Sequence, residues 1–220
     1  MLASLPAAPS PCLAQASPMQ PESVRDVEKL RESLGELPEP VANPVLILVS
    51  GLPGTGKSFL SRRLQEQLPS VIVESDALRR VLFPVPSYTA SEHNRVFRAC
   101  HLLVEGLLKK GIRVILDATN LVERHREHLY HIADRLRVKL IIVRVEAPQD
   151  TVRQRLQGRI EGLDAEDKSD ADWRVYQKMR PRVQRIGRNH FVVDTSRDIG
   201  PVIEKIVREA RRPWSGSMRW

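Results

Sequence analysis

The chain has 220 residues, with 35 lysines and arginines against 27 aspartates and glutamates, a formal charge of +8 and 41% hydrophobic residues. That length supplies one well-filled core, and the absence of any run of about 18 apolar residues argues against a membrane-spanning helix. Only 5% of residues are aromatic, so Leu, Val and Ile must fill the interior, and the cationic excess favours anionic ligands without choosing among them.

Residues 1–43 are expected to be a flexible extension, rich in Pro, Ala and Ser at its start. Within it Ser23 to Leu34 could form a short helix, with Val24, Val27, Leu30 and Leu34 on one face. The main domain is expected over 44–211, followed by a basic aromatic tail, 212–220, that carries Trp214 and Trp220. That tail either touches nucleic acid or docks on the domain. Cys12 falls in the extension and Cys100 in an expected helix, so no structural disulfide is expected and a reducing cytoplasm fits.

From Val45 apolar runs alternate with helical patterns. Strands are expected at 45–49, 71–73, 112–116, 140–145 and 191–193. Helices are expected at 57–67, from Asp76, at 91–110 with Gly111 as its stop, at 122–136, after Pro148, and at 200–211. Strands alternating with helices imply a five-stranded parallel sheet covered on both faces, a three-layer α/β fold.

The loop after the first strand is Gly51-Leu52-Pro53-Gly54-Thr55-Gly56-Lys57-Ser58, which fits G-x-x-x-x-G-K-[ST] between a strand and a helix. Its glycines let backbone N–H groups converge on one anion, and the next helix presents its positive end. Lys57 adds a mobile charge for β- and γ-phosphates, and the Ser58 hydroxyl is placed for Mg²⁺. The expected ligands are ATP or a similar nucleoside triphosphate, and Mg²⁺.

Two further strand ends carry acids. Asp76 follows Val71-Ile72-Val73-Glu74-Ser75 and either accepts a proton from an attacking hydroxyl or caps a helix. Arg79, three residues on, shares its helical face and could hold an acceptor anion. Asp117-Ala118-Thr119-Asn120 ends the third expected strand. Asp117 there can hold Mg²⁺ directly or through water, Thr119 and Asn120 can hydrogen-bond a substrate, and the plain alternative is a strand-end turn with a cap at Asn120. Downstream, Arg155 and Arg159 sit four apart at the start of a charged segment running to Asp164, and a closing arginine there could neutralise charge on a transferred group. His125, His128 and His131 fit the polar face of a helix better than a metal set.

Together the Gly51–Ser58 loop, Asp76-Ala77-Leu78-Arg79, Asp117 to Asn120, and Arg155 with Arg159 resemble the P-loop kinases that include polynucleotide 5′-hydroxyl kinases and zeta-toxin-like kinases. The resemblance covers roughly 44–195, and the segment from Lys168 to Tyr176 is similar to bacterial members. It implies an ATP- and Mg²⁺-dependent kinase with Asp76 as base, Arg79 on the acceptor, and Lys57, Arg155 and Arg159 at the transition state. The acceptor would be a small-molecule or nucleic-acid hydroxyl, with no membrane and no obligate protein partner. The competing expectations are a nucleotide-dependent switch or NTPase without an acceptor, and a polynucleotide 5′-hydroxyl kinase proper.

Overall fold

The computed structural model describes residues 21–160 and 171–213, with the side chains of 21, 159 and 160 outside the described set. Its strands are β1 (Val45–Ser50), β2 (Val71–Glu74), β3 (Val114–Asp117), β4 (Lys139–Glu146) and β5 (Phe191–Asp194). Its helices are α1 (Pro21–Glu32), α2 (Lys57–Gln67), α3 (Ser75–Leu82), α4 (Ala90–Lys109), α5 (Glu123–Leu136), α6 (Gln149–Ile160), α7 (Trp173–Met179) and α8 (Gly200–Arg211), with a 3₁₀ turn at Arg180–Arg182.

All strand pairs are parallel, in the order β2-β3-β1-β4-β5. Every residue of β1 and of β3 is buried, as expected for central strands of continuous aliphatic sequence covered on both faces. One face packs α3, α4 and α5 in a core that includes Val73, Leu103 and Leu129. The other packs α2 and α8 through Leu60, Leu64, Ile203 and Ile206. The expected three-layer α/β architecture with five parallel strands is the one found.

The start of the third strand moved for a physical reason. The third strand begins at Val114 rather than 112. Gly111 takes φ +79° just beyond α4, and Ile112 N–H donates back to the Leu107 carbonyl, so this stretch closes the helix first. A Cβ on Gly111 would also meet the Val41 carbonyl at 2.8 Å, and Val41 N–H donates to the Gly111 carbonyl.

The flexible extension expected over 1–43 is corrected for its second half. α1 lies against α3 and α4, and Leu30 is fully buried in the core of that face. Arg95 Nε and Nη2 donate to Asp26 at 2.7 and 2.9 Å, fixing α1 to α4. A helix with one apolar stripe is stable only when that stripe finds a partner, and here the outer side of α4 supplies it. Residues 1–20, with Cys12, and the tail residues Trp214 and Trp220 lie outside the described residues.

The histidine expectation is corrected in part. His125 and His128 face α4, where His93, Phe97, His101, His125 and His128 form a chain of ring contacts with centroids 4.3–6.2 Å apart. His128 and His131 keep the expected exposed position, His125 is half-buried against α4, and no cluster suited to a metal occurs among the described residues. No helix among the described residues is long and apolar enough to cross a membrane.

Leu30→Ala is expected to lower unfolding free energy by about 2–5 kcal/mol, read from urea melts. A change near zero would mean that α1 is an appendage.

Candidate active site

The carboxyl ends of the five strands line up. Val49 and Glu74 flank Asp117 in register, Ser50 lies beside Arg144, and Glu146 beside Asp194. Ligands of open parallel sheets bind beyond this edge.

The Gly51–Ser58 loop leaves β1 at its centre. Gly51 N–H donates to the Thr119 carbonyl at 3.1 Å, tying the loop's first residue to the turn after β3. The loop's glycines answer to close neighbours as well as to conformation. A Cβ at Gly51 would lie 2.5 Å from the Val145 carbonyl of β4. Gly54, at φ +76°, presses against Val152 and Leu156 of α6, with 2.9 Å to each for an added Cβ. Gly56, at φ +87°, faces Thr195 just past β5, again at 2.9 Å. Gly56 is also the N-cap of α2, and no side chain caps that helix. Its first N–H groups and positive end therefore remain available to an anion. The Thr55 hydroxyl and Lys57 Nζ both donate to the Leu52 carbonyl, at 2.8 and 3.1 Å, so the lysine is folded over the loop.

Asp117 ends β3 and is 3% exposed. Burial pushes its carboxyl above the usual range, the Lys57 charge and the Ser58 and Ser61 hydroxyls pull it back, and the Asp76 charge pushes it up again. Its Oδ2 is buried without a hydrogen-bond partner, as is Ser61 Oγ. A buried carboxylate oxygen with no donor, close to the Ser58 hydroxyl, is a chemically sound ligand for a hard divalent cation. The residues present therefore fit Mg²⁺, with Asp117 and Ser58 as the groups to hold it directly or through water.

Asp76 lies in the first turn of α3, half-buried, with Glu74 as the N-cap. Since Glu74 and not Asp76 holds the cap position, the capping alternative weighed for Asp76 does not apply. Its charge is felt at Asp117, which places it beside the phosphate loop.

Arg79 is placed differently from the expectation. It is 4% exposed, its Nη1 donates to Glu92 Oε1 at 2.5 Å, and its guanidinium lies 4.9 Å from the Tyr88 ring centroid. Glu92 Oε2 in turn accepts from Ser87 N–H and Oγ, both at 2.7 Å, and from Tyr88 N–H. Thr89 caps α4 by accepting from Glu92 N–H, so this pair binds the end of α3 to the start of α4. Burial opposes ionisation of Glu92, but the donors from Ser87 and Arg79 outweigh it and hold the carboxyl at about 2. Arg79 thus ties α3 to the start of α4 rather than presenting a free cation.

Asn120 is likewise turned inward. It is 3% exposed with φ +45°, and its Nδ2 donates to the Val49 carbonyl at 2.8 Å. Ser50 Oγ donates to the Asn120 carbonyl at 3.0 Å. The amide braces the strand end, where a substrate contact was expected. Thr119 offers its carbonyl to Gly51 N–H and is half-buried.

Arg155 reaches Thr195, with Nη1 to Oγ1 at 2.8 Å and Nη2 to the carbonyl at 2.9 Å. Thr195 Oγ1 donates to the Thr55 carbonyl at 2.7 Å. The arginine therefore links α6 to the phosphate loop through Thr195, just past β5. The Arg159 side chain and the segment 161–170 lie outside the described residues. Thr195 was absent from the sequence-based set, which selected acids at strand ends such as Asp117, although a hydroxyl just past a strand's carboxyl end lies where ligands of such sheets bind. Glu92 had a weaker signal, as the third residue after Thr89 in a capping pattern.

The parallel 2-3-1-4-5 sheet and the glycine loop between β1 and α2 define a P-loop kinase-like NTPase fold. The chain belongs to the AAA domain family, which it matches over residues 46–186. Among solved structures it is similar to Chaetomium thermophilum Kti12 in complex with ADP–AlF3, at 23% identity and TM-score 0.62 over 76% of this chain and 100% of that one. It is also similar to the Mycobacterium tuberculosis APS kinase CysC in complex with AMPPNP and APS, at 17% identity and TM-score 0.57 over 77% and 98%. A gluconokinase of Sinorhizobium meliloti aligns at 20% identity and TM-score 0.52 over 79% and 91%. At these identities the likeness is one of fold.

Because Glu92 titrates at about 2 instead of its ordinary 4.5, its stabilisation is complete above pH 4.5 and is lost as pH falls through 2. Glu92→Gln should lower stability at pH 7 and flatten the pH dependence between 4.5 and 2 in urea melts. An unchanged slope in the variant would contradict the assignment.

Proposed function

We propose that the protein is an ATP- and Mg²⁺-dependent kinase that transfers the γ-phosphate to a hydroxyl acceptor. The observation that carries this reading is the pairing of two differently placed carboxylates at neighbouring strand ends. Asp117 is buried beside Ser58, and Asp76 is half-buried, not the cap of its helix, and within electrostatic reach of Asp117. A switch that only holds nucleotide needs the first acid. The second has a role when a hydroxyl must lose its proton.

On this reading the loop N–H groups and the α2 N-terminus hold the phosphates, and Lys57 leaves the Leu52 carbonyl for the β- and γ-oxygens. Ser58 and Asp117 would hold Mg²⁺, which would supply charge neutralisation at the phosphates. Asp76 accepts the acceptor's proton as its oxygen attacks. Arg155 keeps the nucleotide side of the loop in place through Thr195. Arg159 is proposed to neutralise charge on the transferred group. Within the broad class, the polynucleotide-kinase and zeta-toxin-like group is the proposed home, with a small molecule or a nucleic-acid end as acceptor. The buried, free Cys100 suits a reducing cytoplasm.

One observation favours a second reading. Arg79, the residue expected to hold an acceptor's anion, is committed to Glu92, which would suit a nucleotide-dependent switch as well as a kinase of uncharged hydroxyls. The two separate in one experiment, a transfer screen with γ-labelled ATP and a library of sugars, nucleosides and oligonucleotides, read by mass spectrometry. Asp76→Asn should lower transfer by about 10²–10⁴-fold while ATP affinity stays within about threefold. ATP hydrolysis that is unaltered in Asp76→Asn, with no acceptor labelled, would establish the switch instead.

A further inference from the structure

The largest fully buried polar side chain outside the phosphate loop is Arg126, at 0% exposure. None of the chemistry above uses it. Its guanidinium is shared among three separate segments. Nε donates to Glu123 Oε2 at 2.7 Å in the first turn of α5. Nη1 donates to the Asn120 carbonyl at 2.5 Å. Nη2 donates to the carbonyls of Gln184 and Arg185, at 3.2 and 2.9 Å, just beyond the 3₁₀ turn that follows α7. Glu123 N–H closes the same junction by donating to Gln184 Oε1 at 2.8 Å.

The Asn120 carbonyl that Arg126 grips is the one that also accepts from Ser50 Oγ, and the Asn120 amide holds the Val49 carbonyl. One residue earlier, the Thr119 carbonyl accepts from Gly51 N–H. A continuous run of hydrogen bonds therefore joins the segment after α7, through Arg126, to the turn that carries Asp117 and to the start of the phosphate loop. Asn120 keeps a left-handed φ of +45° in that turn, a conformation that asparagine adopts more readily than most non-glycine residues and that its hydrogen bonds here hold in place.

We propose that Arg126 is a positioning residue for the Mg²⁺ site, setting the turn so that Asp117 faces Ser58. The proposal rests on the Mg²⁺ role given to Asp117 above. Without the guanidinium, the buried Asn120 carbonyl and the part-buried carbonyls of Gln184 and Arg185 lose a charged donor, and the turn loses its tie to α5 and to the segment after α7. Asp117 then swings relative to Ser58, while the loop N–H groups that hold phosphate keep their places. Residues that orient metal ligands in this way typically change metal affinity by 10–100-fold.

The test measures binding, so it needs no acceptor. A fluorescent ADP analogue is titrated into the full chain, first in EDTA and then at rising Mg²⁺. Arg126→Met should raise the Mg²⁺ half-saturation about tenfold or more, with metal-free affinity within about twofold. Arg126→Lys, which keeps the charge but not the fork of donors, should fall in between. Leu30→Ala is the control for lost stability alone, and its Mg²⁺ response should match the wild type. Circular dichroism melts set a temperature at which each variant is folded. If Arg126→Met does not fold, Arg126→Lys carries the comparison. A normal Mg²⁺ response in a folded Arg126 variant, or an equal loss of metal-free and Mg²⁺-dependent binding, overturns the proposal. A wild type whose nucleotide binding ignores Mg²⁺ overturns the metal assignment of Asp117 itself, which separates the two failures.

Discussion

Everything at the working end of this molecule depends on how closely other elements approach the backbone of the Gly51–Ser58 loop. Three positions have no room for a Cβ, and each meets a different neighbour: β4 at Gly51, α6 at Gly54, and Thr195 beyond β5 at Gly56. The loop is thus moulded from outside as much as by its own φ/ψ freedom. Because its walls are core elements, with Val152 and Leu156 fully buried, the anion cradle inherits the rigidity of the sheet edge. Preorganised donors of this kind contribute most to phosphate chemistry, where the protein's task is placement and charge neutralisation.

The buried charges divide along the same line. On the nucleotide side Asp117 is left short of donors, with its carboxyl pushed up by burial. That arrangement costs stability, as an exposed carboxylate would not. Around the neighbouring turns the opposite holds, since the buried Arg79 has the buried Glu92 as partner and the buried Arg126 has the partly exposed Glu123. Breaking one partner of such a pair costs more than the pair contributes, so these groups fix the walls of the cleft. The cleft therefore places one underserved carboxylate among well-satisfied neighbours, an asymmetry suited to binding a metal at one point and resisting change elsewhere.

The fold was legible in the sequence because its strands are aliphatic runs ending in glycine, acid or polar residues, and its helices have clear stops such as Gly111. The phosphate loop was legible for the same reason, since its glycines and Lys57 follow one another along the chain. What escaped was tertiary in origin. Arg79 and Asn120 have the right types at the right spacing for substrate contact. Their side chains are instead captured by Glu92, 13 residues away, and by Val49, 71 residues away. No local pattern announces such partners. Thr195, Glu92 and Arg126 were passed over for the converse reason, being ordinary residues whose importance comes from what the fold brings to them. The helix at Ser23 to Leu34 was expected and is found as α1, but its docking escaped because its partners, α3 and α4, come together only once the sheet is covered.

The account stands or falls on the glycine loop being a preformed phosphate cradle. Amide-resolved NMR of ¹⁵N-labelled protein titrated with ADP and Mg²⁺ reads this directly. The account predicts large shifts at Gly54, Gly56, Lys57 and Ser58, smaller ones near Asp117 and Thr195, and little change in α1 or at the far end of α4. Loop amides that stay unperturbed at saturating nucleotide would contradict it.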